Sequence, residues 1–115
     1  NLHQQFFNDA SRLLNPSGLF ILSVWQIRKS KRLSAHLQDW SLLGVEKDDL
    51  EEGDLLMDWR GAGPEQTGLR YVHEFHEAEL QALGEGAGLE RLETFYSDGK
   101  EGNLALYQIW KKPEA

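Results

Sequence analysis

The 115-residue chain contains no cysteine, which excludes disulfides, cysteine-ligated zinc and thiol nucleophiles together. It also lacks any apolar run approaching the ~20 residues that a membrane-spanning helix needs, and no basic-then-apolar leader stands at its first residues. A basic surplus is missing too: 12 Lys and Arg stand against 19 Asp and Glu, a formal net charge of -7. That balance argues against a sequence-independent nucleic-acid coat while leaving room for a local basic patch. Signatures of catalysis are scarce. With no Gly-x-Ser-x-Gly elbow and no phosphate-binding lysine loop, hydrolase and nucleoside-triphosphatase chemistry finds no support. What is present, 40% hydrophobic and 27% charged residues, is the composition of one globular domain in the ~100–150-residue class. The expected setting is intracellular and cytoplasmic.

Hydrophobic periodicity organises the chain. Leu2, Phe6, Phe7, Ala10, Leu13 and Leu14 recur at three- and four-residue steps and predict a helix with one buried face. The sequence opens inside that stripe, without a methionine and with only Asn1 as a cap, so a piece of a longer protein is expected. The turn cluster Asn15-Pro16-Ser17-Gly18 ends the helix. Leu19 to Trp25 is then nearly continuously apolar, as in a strand of a parallel sheet covered on both faces. Leu33, Leu37 and Trp40 predict a short amphipathic helix that Gly44 ends. The acidic stretch from Glu46 to Asp54 reads as a solvated loop. Asp54–Trp59 and Leu69–Phe75 read as a hairpin across Gly61-Ala62-Gly63-Pro64. His76 to Ala87 reads as a helix weakened by Gly84 and Gly86 and ended by Gly88. Leu89–Tyr96 and Leu104–Trp110 are two closing strands, the second with Leu104, Leu106, Gln108 and Trp110 on one face. The expectation is a single α/β domain in three stretches: residues 1–25 (helix and buried strand), 26–75 (an insertion), and 76–115 (helix and final antiparallel strand pair).

The residues from Arg12 through Asn15-Pro16-Ser17-Gly18 to Trp25 resemble the segment of class I S-adenosylmethionine-dependent methyltransferases that leads into the fifth sheet strand. Gly53-Asp54-Leu55-Leu56-Met57-Asp58-Trp59, Leu69-Arg70-Tyr71-Val72-His73-Glu74-Phe75, Glu77-Ala78-Glu79-Leu80 and Asp98-Gly99-Lys100-Glu101-Gly102-Asn103-Leu104 are similar to a narrower group. Those tRNA methyltransferases esterify a carboxymethyl group on the wobble uridine. The chain departs from that group at Asp58, Val72 and His76, where the group has Pro, a second aromatic residue and a Ser or Thr cap. The resemblance implies the C-terminal portion of a Rossmann-like sheet with a hairpin and helix insertion serving as substrate cap. It implies S-adenosylmethionine as cofactor of the complete domain and tRNA as a partner. A small activator subunit, the missing N-terminal half, or a second copy paired along the Leu19–Trp25 edge are further partners to expect. The cofactor-holding Gly-rich loop is not in this sequence. Gly84-Glu85-Gly86-Ala87-Gly88 has the glycines but lies in and after a helix, where no strand feeds it. No cofactor-binding residue is therefore expected in this chain, which would be silent in methyl transfer alone.

The candidate site residues are substrate-binding. Arg28, Lys29, Lys31 and Arg32 follow the carboxyl end of a strand, where open α/β sheets place ligands; they suit RNA phosphates or form an ordinary solvated loop. On a strand, Tyr71 and His73 share a face and Arg70 takes the other. Tyr71, His73 and Trp59 supply an aromatic platform and donors for a uridine, or simply pack a hairpin around a satisfied histidine. His73 and His76 are three apart rather than four, so the helical zinc-protease pattern is not met and no metal is expected. No residue is named as catalytic, because methyl transfer asks mainly for alignment of acceptor, methyl and leaving sulfur. A small-molecule methyltransferase of the same fold and a non-catalytic protein-interaction module are the alternatives.

Overall fold

The structure is a computed structural model that describes residues 2–60 and 67–114, without the side chains of Trp59, Arg60 and Thr67. The turn expected at Gly61-Ala62-Gly63-Pro64 lies outside the described residues. Two compact units emerge, one formed by Asn1–Trp25 with Phe75–Ala115 and the other by Gln26–Glu74. Among the described residues, no helix is long and apolar enough to cross a membrane.

The first unit is a three-stranded sheet with two helices. It comprises α1 (Leu2–Leu13), β1 (Leu19–Trp25), α3 (Glu77–Gly86), β5 (Glu90–Ser97) and β6 (Ala105–Lys111). The strand order is β1-β6-β5. Both outer strands run antiparallel to β6 and so run parallel to each other. Phe20, Leu22 and Val24 lie opposite Trp110, Gln108 and Leu106 and face the helices. There they close a core with Phe7, Leu80 and Leu83. Trp110 and Gln108 are both fully buried, and the Trp110 indole N–H donates to Gln108 Oε1 at 3.0 Å, which satisfies two buried polar groups at once. Lys112 Nζ donates to the carbonyls of Ser11 and Leu14, each at 2.9 Å. It thereby meets carbonyls left open at the end of α1 and complements the helix dipole.

Two expectations are corrected in this unit. β1 has the predicted bounds, but its partner is an antiparallel strand, and its residues alternate between exposed and half-buried along the whole strand. Leu19, Ile21 and Trp25 are exposed, as is Phe95 on the same face. The apolar run reported that both faces of the strand are greasy; among the described residues of this unit, the packed layer lies against the face toward the helices. Likewise α1 buries Phe7 alone. Leu2 and Leu13 are 81% and 80% exposed and Phe6 is exposed too, so half of the helical stripe read as buried faces outward.

The second unit holds α2 (Lys31–Ser34), β2 (Leu37–Gln38), β3 (Asp54–Arg60) and β4 (Thr67–His73), in the sheet order β2-β3-β4. The single helix expected over Leu33–Trp40 is split. Ser30 caps α2, its side chain accepting from Leu33 N. Leu37 and Gln38 then pair with Met57 and Leu56, and Asp39 caps a separate 3₁₀ turn, Trp40–Leu43, which Gly44 ends in the left-handed region at φ 67°. A long-range ladder has overridden a local helical stripe. Gly53 (φ +96°) starts β3. A Cβ there would lie 2.5 Å from Glu74 O and 3.2 Å from His73 Cε1, so glycine is what lets the chain reach the end of β4.

Candidate functional site

The second unit gathers most of the candidate residues. Its basic segment runs through a 3₁₀ turn, Ile27–Lys29, into α2, and Arg28, Lys29, Lys31 and Arg32 are all exposed. They are not equivalent. Arg28 donates its backbone N–H to Glu74 Oε1 at 2.8 Å and its Nε to Oε2 at 2.5 Å. Glu74 is buried, with only 7% of its side chain accessible, so Arg28 neutralises an interior carboxylate. Lys29, Lys31 and Arg32 are the basic side chains that remain outside this pair.

The β3–β4 ladder sets the second group. Asp54 lies opposite His73 and Leu56 opposite Tyr71, while Met57 faces Arg70. Tyr71 and His73 thus share a face and Arg70 takes the other, as the strand period requires. Trp59 pairs with Gly68 through the backbone, and its side chain lies outside the described residues. Asp54, which sequence reasoning did not single out as a site residue, is the hub. Its Oδ1 accepts from the Tyr71 hydroxyl at 2.8 Å and lies 2.7 Å from His73 Nδ1. Its Oδ2 accepts from Glu51 N at 2.8 Å, and its backbone carbonyl accepts from the Trp40 indole at 3.4 Å. Burial pushes the Asp54 carboxyl up, but the bonds from His73, the Glu51 N–H and Tyr71 together hold it below its ordinary value. An ionised carboxylate accepting three bonds is the favoured state. The His73 side chain is only 4% accessible, whereas Tyr71 is exposed. Trp40, on the 3₁₀ turn, stands 6.2 Å from the Tyr71 ring at 50°.

A second histidine–aspartate pair occupies the same sheet. His36 Nδ1 lies 2.6 Å from Asp58 Oδ1, and the Asp58 N–H donates to the His36 carbonyl at 2.9 Å. His36 is half-buried. The signal that finds it is the extension of β2 against β3, which no local pattern announces. Trp40 was read as one side of a core-facing helical stripe, and the capping residue Asp39 just before it was the available clue to a separate turn.

The glycine run of residues 84–88 lies in and just beyond α3. A Cβ at Gly84 would lie 2.3 Å from Trp110 Cη2, and Gly88 adopts φ +75° just beyond the end of α3. These glycines serve helix packing and helix termination. His76, the residue next to the histidine motif, accepts from Glu79 N at 3.4 Å as the N-cap of α3.

No protein-family model matches the sequence, and no curated protein matches it. The fold does match a solved structure, a SAM-dependent methyltransferase of Methanosarcina mazei, with a TM-score of 0.63 and 19% sequence identity. The match covers 98% of this chain and 52% of that one. The chain therefore has a methyltransferase-like mixed α/β fold and spans about half the length of the structure it matches.

Proposed function

We propose that the chain is the acceptor-side portion of a SAM-dependent methyltransferase that acts on the wobble uridine of tRNA in the cytoplasm, and that it is silent in methyl transfer alone. The observation that carries this reading is the fold match, which takes in 98% of this chain but 52% of a methyltransferase. The exposed apolar residues of the first unit support it. Leu19, Ile21, Trp25 and Phe95 lie on the sheet face away from the helices, while Leu2, Phe6 and Leu13 are exposed on α1. A partner covering both sides and pairing at β1 must itself be layered α/β. The N-terminal half of a methyltransferase domain has that form. A second copy joined to β1 by an antiparallel twofold keeps both helical layers on one side and leaves the other face open, so the half-domain is the better partner.

Lys29, Lys31 and Arg32 supply the phosphate contacts in this reading, and the Trp40–Tyr71 pair receives the base. The test is binding of a uridine-bearing anticodon stem-loop RNA by the wild-type chain and by the triple variant with Lys29, Lys31 and Arg32 changed to Ala. Affinity falling steeply with salt and lost in the triple variant is expected. Binding that ignores both salt and these three residues contradicts the tRNA reading.

A further inference from the structure

We infer that Tyr71 takes part in acceptor recognition through the face of its ring and not through its hydroxyl, so that Trp40 and Tyr71 form a stacking site for one planar base, with Asp54 as the positioning residue. The inference rests on the acceptor reading above and specifies how that surface works. Tyr71 sits on β4 with 55% of its surface exposed, and an exposed tyrosine ordinarily offers its hydroxyl to a ligand and its ring to several rotamers. Here the hydroxyl donates to Asp54 Oδ1 at 2.8 Å. Its one proton is therefore already directed at an ionised acceptor that it would have to leave in order to serve a uracil carbonyl.

Asp54 does not move with it. His73 Nδ1 at 2.7 Å and Glu51 N at 2.8 Å hold the same carboxylate. The strand register places Asp54 opposite His73, and the Gly53 φ of +96° fixes where β3 begins. The ring is thereby pinned at two ends, by the backbone of β4 and by Asp54, with Trp40 6.2 Å away at 50°. What such a pair offers a ligand is aromatic surface. Aromatic stacking tolerates any base, because every base has a π-face. With its one proton given to Asp54, Tyr71 has no donor for a uracil carbonyl, and recognition of the carbonyls comes from other groups.

The experiment compares a uridine stem-loop RNA with the same RNA carrying 5,6-dihydrouridine, which keeps the N–H and both carbonyls but is not planar, against the wild-type, Tyr71→Phe, Tyr71→Leu and Asp54→Asn chains. Loss of one base stack weakens binding by about tenfold or more. The expected pattern is that loss for dihydrouridine on the wild-type chain and for Tyr71→Leu on the uridine RNA. Tyr71→Phe and Asp54→Asn, which loosen the ring's anchor without removing the ring, both fall between wild type and Tyr71→Leu. The dihydrouridine arm leaves the protein untouched and so does not depend on any variant folding. Equal affinity for the two RNAs, or Tyr71→Phe as weak as Tyr71→Leu, overturns the stacking inference while leaving the acceptor reading standing. Binding of neither RNA by the wild-type chain overturns the acceptor reading and the inference with it.

Discussion

Replacing Gly84 by alanine sets helix propensity against packing, and the structure decides the sign. In an open helix interior the change gains ~1 kcal/mol. In α3, however, the new Cβ would lie 2.3 Å from Trp110 Cη2 and 2.5 Å from Cζ2 and Cζ3. That is more than an ångström inside a carbon–carbon contact of roughly 3.5–4.0 Å. Trp110 has nowhere to retreat: it is fully buried, and its indole N–H is tied to the equally buried Gln108. Helix α3 is held too, since the Gly84 carbonyl accepts from Ala87 N and Leu89 N at 3.2 and 3.0 Å. Overpacking of this kind costs ~1–3 kcal/mol, and a Cβ 2.3 Å from a ring that cannot move belongs at the upper end, so the variant should be less stable than wild type by about 2 kcal/mol after the propensity gain. Urea denaturation followed by tryptophan fluorescence measures it. The paired control is Gly86→Ala, whose Cβ would meet the Gln4 side-chain amide, Oε1 at 2.6 Å and Cδ and Nε2 at 3.0 Å; the amide can yield at the expense of its bond to Leu83 O, a loss that the helix-propensity gain offsets. That variant should stay within about 0.5 kcal/mol of wild type. A Gly84→Ala chain as stable as wild type, or more so, would refute the packing of α3 on Trp110.

Two further predictions concern the second unit. Arg28→Ala leaves the buried Glu74 carboxylate with only a backbone donor at 2.8 Å and should cost about 1–3 kcal/mol, whereas Arg32→Ala, on an exposed residue, should cost under about 0.5 kcal/mol; thermal or urea unfolding distinguishes them. The Asp54 carboxyl is held below its ordinary value of 3.8, so the stability it contributes is complete above that value. It disappears as pH falls through the lower, folded-state value. Asp54→Asn should therefore lose stability at neutral pH and show a shallower acid dependence than wild type. Parallel acid slopes for the two chains would contradict the carboxylate's role.

What the sequence could tell divides along local and long-range lines. The limits of β1 were readable because a proline-glycine turn and an apolar run sit next to each other, and both are local chemistry. That Leu19 and Ile21 lie open to solvent was not readable, since periodicity locates apolar side chains without saying what covers them. The helix read across Leu33–Trp40 failed for a related reason: Leu37 and Gln38 are claimed by Leu56 and Met57, some twenty residues away. Ser30 and Asp39, two capping residues less than ten positions apart, were the local hint of two short elements. The face shared by Tyr71 and His73 followed from the strand period alone. The convergence of Tyr71, His73 and Glu51 on Asp54 needed the β3–β4 register, which a hairpin's sequence fixes only when its turn is also known.

On the proposed reading the chain carries the acceptor side of a methyltransferase fold and no cofactor cradle. Calorimetric titration of the chain with S-adenosylmethionine, beside titration with a uridine stem-loop RNA, tests it most directly. Heat of binding is expected for the RNA alone. Stoichiometric binding of S-adenosylmethionine to the chain without the RNA would contradict it.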